Sequence, residues 1–212
     1  MKPTPATALQ LLHSASFGAL ATHAAQMPGY PFATALPFAP DELHRPVFLV
    51  STLAEHTKNL AADPHASLLV TDPHAQDVLD APRMTIIGDA TQLEASPELI
   101  ARFVRYQPQA EQYLALGDFS FYALSPKRVR YIAGFAQMGW IEENEWFDVK
   151  PLPLADEARI IAALDGRLPA NLRALGVDRY GVDLIRDGKR ERKVFASAPL
   201  SNEALADKLR LL

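Results

Sequence analysis

Five side chains that can bind an anion are concentrated in residues 51–59. An apolar run precedes this segment and a helical pattern follows it, so its amides are expected in the first turn of a helix. Unpaired N–H groups and the positive end of the helix dipole favour a phosphate there. The side chains that add hydrogen bonds or charge are Ser51, Thr52, His56, Thr57 and Lys58. A capped surface helix with a solvated lysine fits the same spacing, and the residues alone leave both interpretations open.

Short strands separated by turns are predicted on both sides of this segment. Apolar and alternating runs predict strands over 16–22, 30–38, 46–51, 67–71, 83–93, 120–124 and 129–133, the last two separated by Ser125 and Pro126. Pro31 and Pro37 indicate that the second strand lies at a sheet edge or carries a bulge. Short strands joined by turns predict an antiparallel barrel or sandwich over residues 1–148.

Helices are predicted at three places among these strands. Thr4 followed by proline is a favourable helix start, and that helix is expected to end near Ser14. A second helix is predicted over 53–62, with Thr52 and Glu55 at the spacing of a capping box. A third helix is predicted to begin after Ser96.

Residues 149–212 are predicted to form a separate small α/β domain after a proline-containing linker at 150–153. The pattern predicts a helix over 156–164, a further helical stretch over 168–175, a hairpin around Asp187 and Gly188, and a last helix capped by Ser201. The basic run 189–193 is interpreted as a solvated face of the hairpin.

Composition excludes several kinds of site. The chain has no cysteine, so disulfides, thiolate catalysis and cysteine-ligated metals are ruled out. The net charge is −4 with no dominant basic stripe, so nucleic acid is not expected as a partner. No apolar run approaches the ~18 residues of a membrane span, and residues 1–12 lack a signal peptide, so a cytoplasmic location is expected. The six histidines are widely spaced, and no metal site is predicted from them.

Four blocks of sequence resemble a known family. They are YPFATALPF, PVFLVSTLAEHTKNLAADPHASLLVTD, PRMTIIGDA and YIAGFAQMGWI, in that order. Together they resemble the FMN-binding split barrels related to pyridoxamine 5'-phosphate oxidase, and in particular the haem-utilisation branch with a small C-terminal α/β domain. The resemblance implies a mainly β, α+β fold: a split β-barrel over 1–148 followed by an α/β domain over 149–212. It also implies a homodimer with cofactor sites at the subunit interface.

The resemblance assigns cofactor-binding roles to particular residues. It implies that Thr52, Thr57 and Lys58 hold the FMN phosphate, with Ser51 and His56 beside them. The related oxidases have an arginine and a lysine where this chain has Thr57 and Lys58, so one positive charge is missing.

Four further residues are placed near the flavin ring by the same resemblance. Thr34 would lie on the strand that passes beneath the flavin, with an ordinary strand threonine as an equal alternative. Arg83 would face the flavin, with a salt bridge to Asp77 or Asp80 as an equal alternative. Gln137 and Trp140 match the late motif near the ring. Core packing is the alternative role for Trp140.

The function implied is an FMN-dependent oxidoreductase that acts on a small molecule, with no catalytic side chain identified. One alternative is a haem-binding protein on the same fold. This chain has no histidine after His74, so haem ligation from the C-terminal domain is excluded and His56 becomes the candidate ligand. The other alternative is a non-catalytic relative with weak cofactor binding.

Overall fold

An eight-stranded antiparallel sheet forms the largest part of the molecule. The computed structural model describes residues 2–77, 79–133, 137–164, 166–196 and 201–209. The strands of this sheet are ordered β2-β1-β5-β6-β7-β4-β3, and β8 also pairs with β7. They are β1 Phe17–His23, β2 Pro31–Pro37, β3 Ala39–Pro40, β4 Pro46–Ser51, β5 His65–Thr71, β6 Pro82–Leu93, β7 Phe119–Ala133 and β8 Met138–Glu142. The sheet curls into a split barrel, so the predicted mainly β, α+β fold is confirmed.

A three-stranded antiparallel sheet and seven helices complete the described chain. The small sheet, ordered β11-β10-β9, comprises β9 Leu172–Val177, β10 Gly181–Arg186 and β11 Lys189–Val194. The helices are α1 Pro5–Ser14, α2 Glu55–Ala62, α3 Pro97–Tyr106, α4 Ala110–Leu114, α5 Glu143–Phe147, α6 Leu154–Leu164 and α7 Asn202–Leu209. No described helix has the length and apolar character needed to cross a membrane.

One row of aliphatic side chains crosses the large sheet on its inner face. Leu20, Leu68, Ile86, Val129 and Ile141 are paired in register across five neighbouring strands, and each is fully buried. Burying one such side chain stabilises the fold by about 1.5–3 kcal/mol. Because side chains alternate along a strand, this row determines which residues face outwards on β1, β5, β6, β7 and β8.

Helix α2 begins later than predicted. The predicted start was residue 53, but the helix begins at Glu55, its N-cap is Ala54, and no side chain caps it. The predicted capping box of Thr52 and Glu55 is therefore wrong. The amide of Thr52 donates to the Asp118 carbonyl (2.8 Å), and the amide of Leu53 donates to Ser51 Oγ (3.1 Å). These bonds hold residues 51–53 in a turn outside the helix.

Strand β7 runs unbroken through the proline that was predicted to divide it. The pairing of β6 with β7 shifts register between Ile87 and Gly88, opposite Ser125 and Pro126. A Cβ on Gly88 would lie 2.0 Å from the Ser125 carbonyl oxygen. The bulge and the glycine together accommodate the proline within a continuous strand.

The C-terminal region contains one error of prediction and one confirmed hairpin. The helical stretch predicted over 168–175 is wrong, because Leu172–Val177 forms β9 and pairs with β10. Pairing with a neighbouring strand has overridden the local helical pattern. The hairpin of β10 and β11 turns at Asp187 and Gly188, both at positive φ, as predicted.

A buried ion pair connects α3 to the C-terminal region. Arg102 donates to Glu157 of α6, and both side chains are almost fully buried. Arg102 also donates to the Pro40 carbonyl (2.6 Å) and to the Tyr106 hydroxyl (3.2 Å). Glu157 accepts in addition from the Val177 amide (3.1 Å). The two sheets are therefore joined through charged groups that solvent does not reach.

Candidate functional site

The segment 51–59 uses several of its polar groups to build its own turn. Ser51 Oγ donates to Asp118 Oδ2 (2.8 Å), and the buried Thr57 hydroxyl donates to the Ser51 carbonyl (2.7 Å). Thr52 and Lys58 are exposed and remain accessible to a ligand. Because the Asp118 carboxylate lies beside Ser51, it opposes an anion bound at that hydroxyl. Of the residues predicted to bind the phosphate, Thr52 and Lys58 therefore remain accessible.

His56 has an unusual environment within this segment. The ring is half-buried, and its Nε2 is buried with no hydrogen-bond partner among the described residues. Burial lowers the pKa of His56 below its usual value, so the ring is neutral at pH 7. A neutral imidazole with an unsatisfied nitrogen is chemically suited to coordinate a metal ion or a haem iron.

Arg83 and Trp140 lie on the same outer face of the large sheet. Arg83 pairs with Ile132, and Trp140 pairs with Arg130, two positions away on the same strand. The Arg128 guanidinium lies 4.2 Å from the centre of the Trp140 ring, and that of Arg130 lies 5.4 Å from it. This face therefore presents several guanidinium groups around one indole, an arrangement suited to an aromatic ligand with a negative charge.

Arg83 is also held by the loop that precedes its strand. Its Nη1 donates to the carbonyls of Leu79 (3.2 Å) and Ala81 (3.4 Å). These bonds hold the guanidinium end of the side chain against the loop. The predicted roles of Arg83 and Trp140 at the flavin ring stay predictions.

Two other predicted site residues are placed differently. Thr34 pairs with Leu20 and shares its inner face, whereas Arg83 and Trp140 face outwards. Gln137 is exposed immediately before β8, and its carbonyl accepts from the Ala133 amide (2.8 Å). The first residues of the late motif, 134–136, lie outside the described residues. The structure therefore groups Arg83 with Trp140 and leaves Thr34 on the other side of the sheet.

An apolar cavity lies beside the end of β4. It has a volume of about 540 Å³, and Tyr113 and Phe119 stack within its wall with ring centres 5.0 Å apart. Phe119 pairs directly with Ser51, so the cavity adjoins the strand end that leads into segment 51–59. Leu49 and Phe103 also line it. A cavity of this size with aromatic walls suits a planar apolar ligand.

Sequence reasoning missed the arginines around Trp140. Arg128 and Arg130 stand two apart on β7, and the alternation of a strand places both on the face opposite the buried Val129. That period-two pattern was visible in the sequence. The cavity was not foreseeable, because α3, α4 and three strands contribute to it.

Comparison with known proteins identifies relatives that are described as a heme oxygenase and as a heme binding protein. Over 159 residues, 72% of this chain, the sequence is 33% identical to the non-canonical heme oxygenase HOZ, chloroplastic, of Arabidopsis thaliana. The chain spans about half the length of that relative, 49%. A heme binding protein from Mycobacterium smegmatis is 26% identical and superimposes with a TM-score of 0.65, covering 100% of both chains.

The fold extends to flavin-type split barrels. A protein of the pyridoxinephosphate oxidase family from Clostridium acetobutylicum superimposes with a TM-score of 0.51 at 15% identity, over 67% of this chain and 96% of that one. The relationship predicted from the four sequence blocks is therefore confirmed. A family model described as CREG, beta-barrel matches residues 1–148. The chain belongs to the CREG beta-barrel family.

Proposed function

We propose that this chain is a haem-binding protein, with the imidazole of His56 as the iron ligand. The observation that carries the proposal is the buried Nε2 of His56, which has no partner in the described part of the chain. A buried nitrogen without a hydrogen bond costs about 1–3 kcal/mol, and a bound metal centre would satisfy it. The similarity to a heme oxygenase and to a heme binding protein supports haem over FMN as the ligand.

The surroundings of His56 support this choice. The ring is neutral because burial lowers its pKa, so its nitrogen need not lose a proton before it binds iron. The cavity beside β4 is a separate source of support, because its aromatic residues Tyr113 and Phe119 suit a macrocycle and it adjoins Ser51, at the end of the strand that leads towards His56. Haem, when bound, supplies the redox chemistry, and the protein supplies the ligand and the apolar surroundings.

A haemin titration of three variants tests the proposal. Wild-type protein should develop a Soret band that saturates at one haem per chain, and His56→Ala should lose at least about tenfold in affinity. His23→Ala and His74→Ala are matched controls, because both histidines are exposed and outside the segment. An unchanged affinity in His56→Ala would reject the ligand assignment, and the absence of any Soret band in wild type would reject haem binding.

FMN binding is a second candidate, supported by a different observation. Arg128 and Arg130 lie over Trp140, Arg83 lies on the same outer face, and Lys58 is exposed at the start of α2. These cations suit a phosphorylated aromatic cofactor. An oxidoreductase of this kind should keep a flavin spectrum after desalting with FMN, and Lys58→Ala should weaken binding. If neither FMN nor haemin is retained, the chain is a non-catalytic relative with weak cofactor binding.

The outer face of the large sheet supports the expected homodimer. Leu69 and Ile87 are about two-fifths exposed there, beside Ala19, Ala21 and Ser67, and none of these residues is charged. This partly apolar part of the outer face is bordered by Arg128, which pairs with Ile87, and an apolar patch with a charged rim is typical of a surface covered by a partner. Light scattering should give twice the chain mass for wild type and the single mass for Leu69→Asp. A wild-type monomer would contradict the dimer.

The cytoplasmic location stays a prediction.

A further inference from the structure

A cluster of buried polar side chains lies between α1, the turn after β3 and the C-terminal sheet. Its members are His13, His44, Asp178, Asp183 and Arg192. His13 and Asp183 are 0% exposed, His44 2% and Asp178 5%. Such a concentration of ionisable groups is costly to bury unless each group is paired. None of these residues belongs to the proposed haem or flavin site.

Three of these residues bring together atoms that are capable of ligating a metal ion. His13 Nε2 lies 3.0 Å from His44 Nδ1 and 3.6 Å from Asp178 Oδ2. All three donor atoms lie within 4.8 Å of one another. Ligands at bond lengths of about 2.0–2.1 Å in a tetrahedral zinc site stand about 3.3 Å apart. The spacing of these atoms is that of ligands around one ion.

A neighbouring carboxylate orients the His13 ring for coordination. His13 Nδ1 lies 2.6 Å from Asp183 Oδ2. A proton on Nδ1 bonded to this carboxylate leaves the Nε2 lone pair directed at His44 and Asp178. Carboxylates behind metal-bound histidines serve this purpose, because they fix the tautomer and raise the basicity of the ligand.

The other two ligands are held by their own turns. Asp41 Oδ1 accepts from the amides of Leu43 (2.9 Å) and Arg45 (2.8 Å), and the closed turn holds His44 at a φ of 59°. Positive φ is unfavourable for histidine, so the turn keeps this ring in place at a cost.

Asp178 is fixed by hydrogen bonds to both of its carboxylate oxygens. Its Oδ1 accepts from the amides of Tyr180 (2.7 Å) and Gly181 (2.9 Å). The Arg192 guanidinium reaches both of its oxygens, at 2.9 Å for Oδ1 and 2.8 Å for Oδ2. The second oxygen, Oδ2, is the one that faces His13.

The charges of the cluster leave room for a cation. Asp178 and Asp183 both pair with Arg192, which supplies one positive charge for two carboxylates. One negative charge is therefore not compensated by Arg192, and it favours a cation bound beside these carboxylates. We propose that His13, His44 and Asp178 form a zinc site, with Asp183 as the orienting carboxylate. Two imidazoles and one carboxylate select zinc over the harder magnesium and calcium ions.

A zinc ion at this site would link three distant parts of the chain. His13 lies on α1, His44 between β3 and β4, and Asp178 after β9. One ion would therefore tie the large sheet to the C-terminal sheet. Because a ligand that binds only the folded state stabilises it, zinc should raise the unfolding temperature of the full chain.

Zinc binding is tested on full-length protein stripped with a chelator. After one equivalent of Zn²⁺ and gel filtration, wild type should retain one zinc per chain by elemental analysis, and His44→Asn should lose at least about 100-fold in affinity. Asparagine is chosen because it tolerates positive φ. His74→Ala controls for exposed histidines, and His56→Ala should keep full zinc content, which separates this site from the haem site.

A second readout guards against a variant that does not fold. Co²⁺ added to wild type should give visible d–d bands of a low-coordinate nitrogen and oxygen site, and Asp178→Asn should alter them. Zinc retention well below one per chain in wild type, or no d–d bands with Co²⁺, would overturn the proposal. Equal zinc affinity in a folded His44→Asn variant would also overturn it.

Discussion

Removing both members of the Arg102–Glu157 pair should destabilise the protein by clearly less than the sum of the two single removals. Arg102→Met takes away the partner of the Pro40 carbonyl and leaves a buried carboxylate. Glu157→Gln leaves a buried guanidinium without its counter-charge. The double variant contains neither charge. The two substitutions should therefore be strongly non-additive.

The contacts of each group set the expected size of the effect. Breaking a buried ion pair by removing one partner costs about 3–5 kcal/mol. After Arg102→Met, Glu157 keeps the Val177 amide, and Arg105 Nη2 lies 3.3 Å away, so we expect about 3 kcal/mol, the lower end. A similar cost is expected for Glu157→Gln. The double variant should recover about 1–3 kcal/mol of the summed loss.

Urea denaturation followed by circular dichroism measures all three variants. The exposed pair Lys127–Glu143 provides a matched control, with its nitrogen and oxygen atoms 2.8 Å apart. Lys127→Met and Glu143→Gln should show no measurable coupling, because solvent screens that pair. Additive losses in the buried pair, with a coupling below about 0.5 kcal/mol, would refute the reasoning.

Three other predictions concern single positions. In metal-free protein, burial lowers the pKa of His44 to about 3. In the unfolded chain this ring takes up a proton near pH 6.5. The free energy of unfolding should therefore fall, by at most about 1.4 kcal/mol per pH unit, as the pH drops from about 6.5 towards 3. Urea denaturation of His44→Asn at several pH values should lack this pH dependence. Gly88→Ala places a Cβ 2.0 Å from a carbonyl oxygen, so we expect a loss of at least about 2 kcal/mol, and wild-type stability in urea would contradict the close packing. Because burial lowers the pKa of His56, haemin affinity should fall between about pH 7.5 and about pH 6 by less than the roughly fourfold loss expected for an ordinary histidine, and a larger drop would contradict a neutral ligand.

The strands were predictable because their burial alternates or because they are uniformly apolar. Val47, Phe48 and Val50 of β4 are all buried, as the apolar run indicated. The start of α2 was not predictable. The Thr52 amide bonds to Asp118, which lies far along the chain, and that contact competes with the local capping box.

The residues of the candidate sites could be predicted from the sequence to different degrees. His56 could be selected from the sequence, but its unsatisfied nitrogen depends on packing that the sequence does not display. The proposed zinc ligands have no recognisable spacing, because His13 and His44 are 31 positions apart, and the orienting carboxylate Asp183 follows His13 by 170. Sites assembled from distant turns become visible only when the topology is known.

The contacts of α1 also affect how the chain folds during synthesis. Arg190 of β11 donates to the Ala15 carbonyl at the end of this helix, 175 positions earlier, and to the Tyr106 carbonyl. During synthesis, α1 therefore gains these partners only when the hairpin of β10 and β11 emerges, long after the helix itself. Closing so long a loop is slow. Until that hairpin emerges, His13 has its His44 contact but lacks the Asp183 carboxylate, and the Ala15 carbonyl lacks the Arg190 guanidinium, so the end of α1 is held less firmly during that interval.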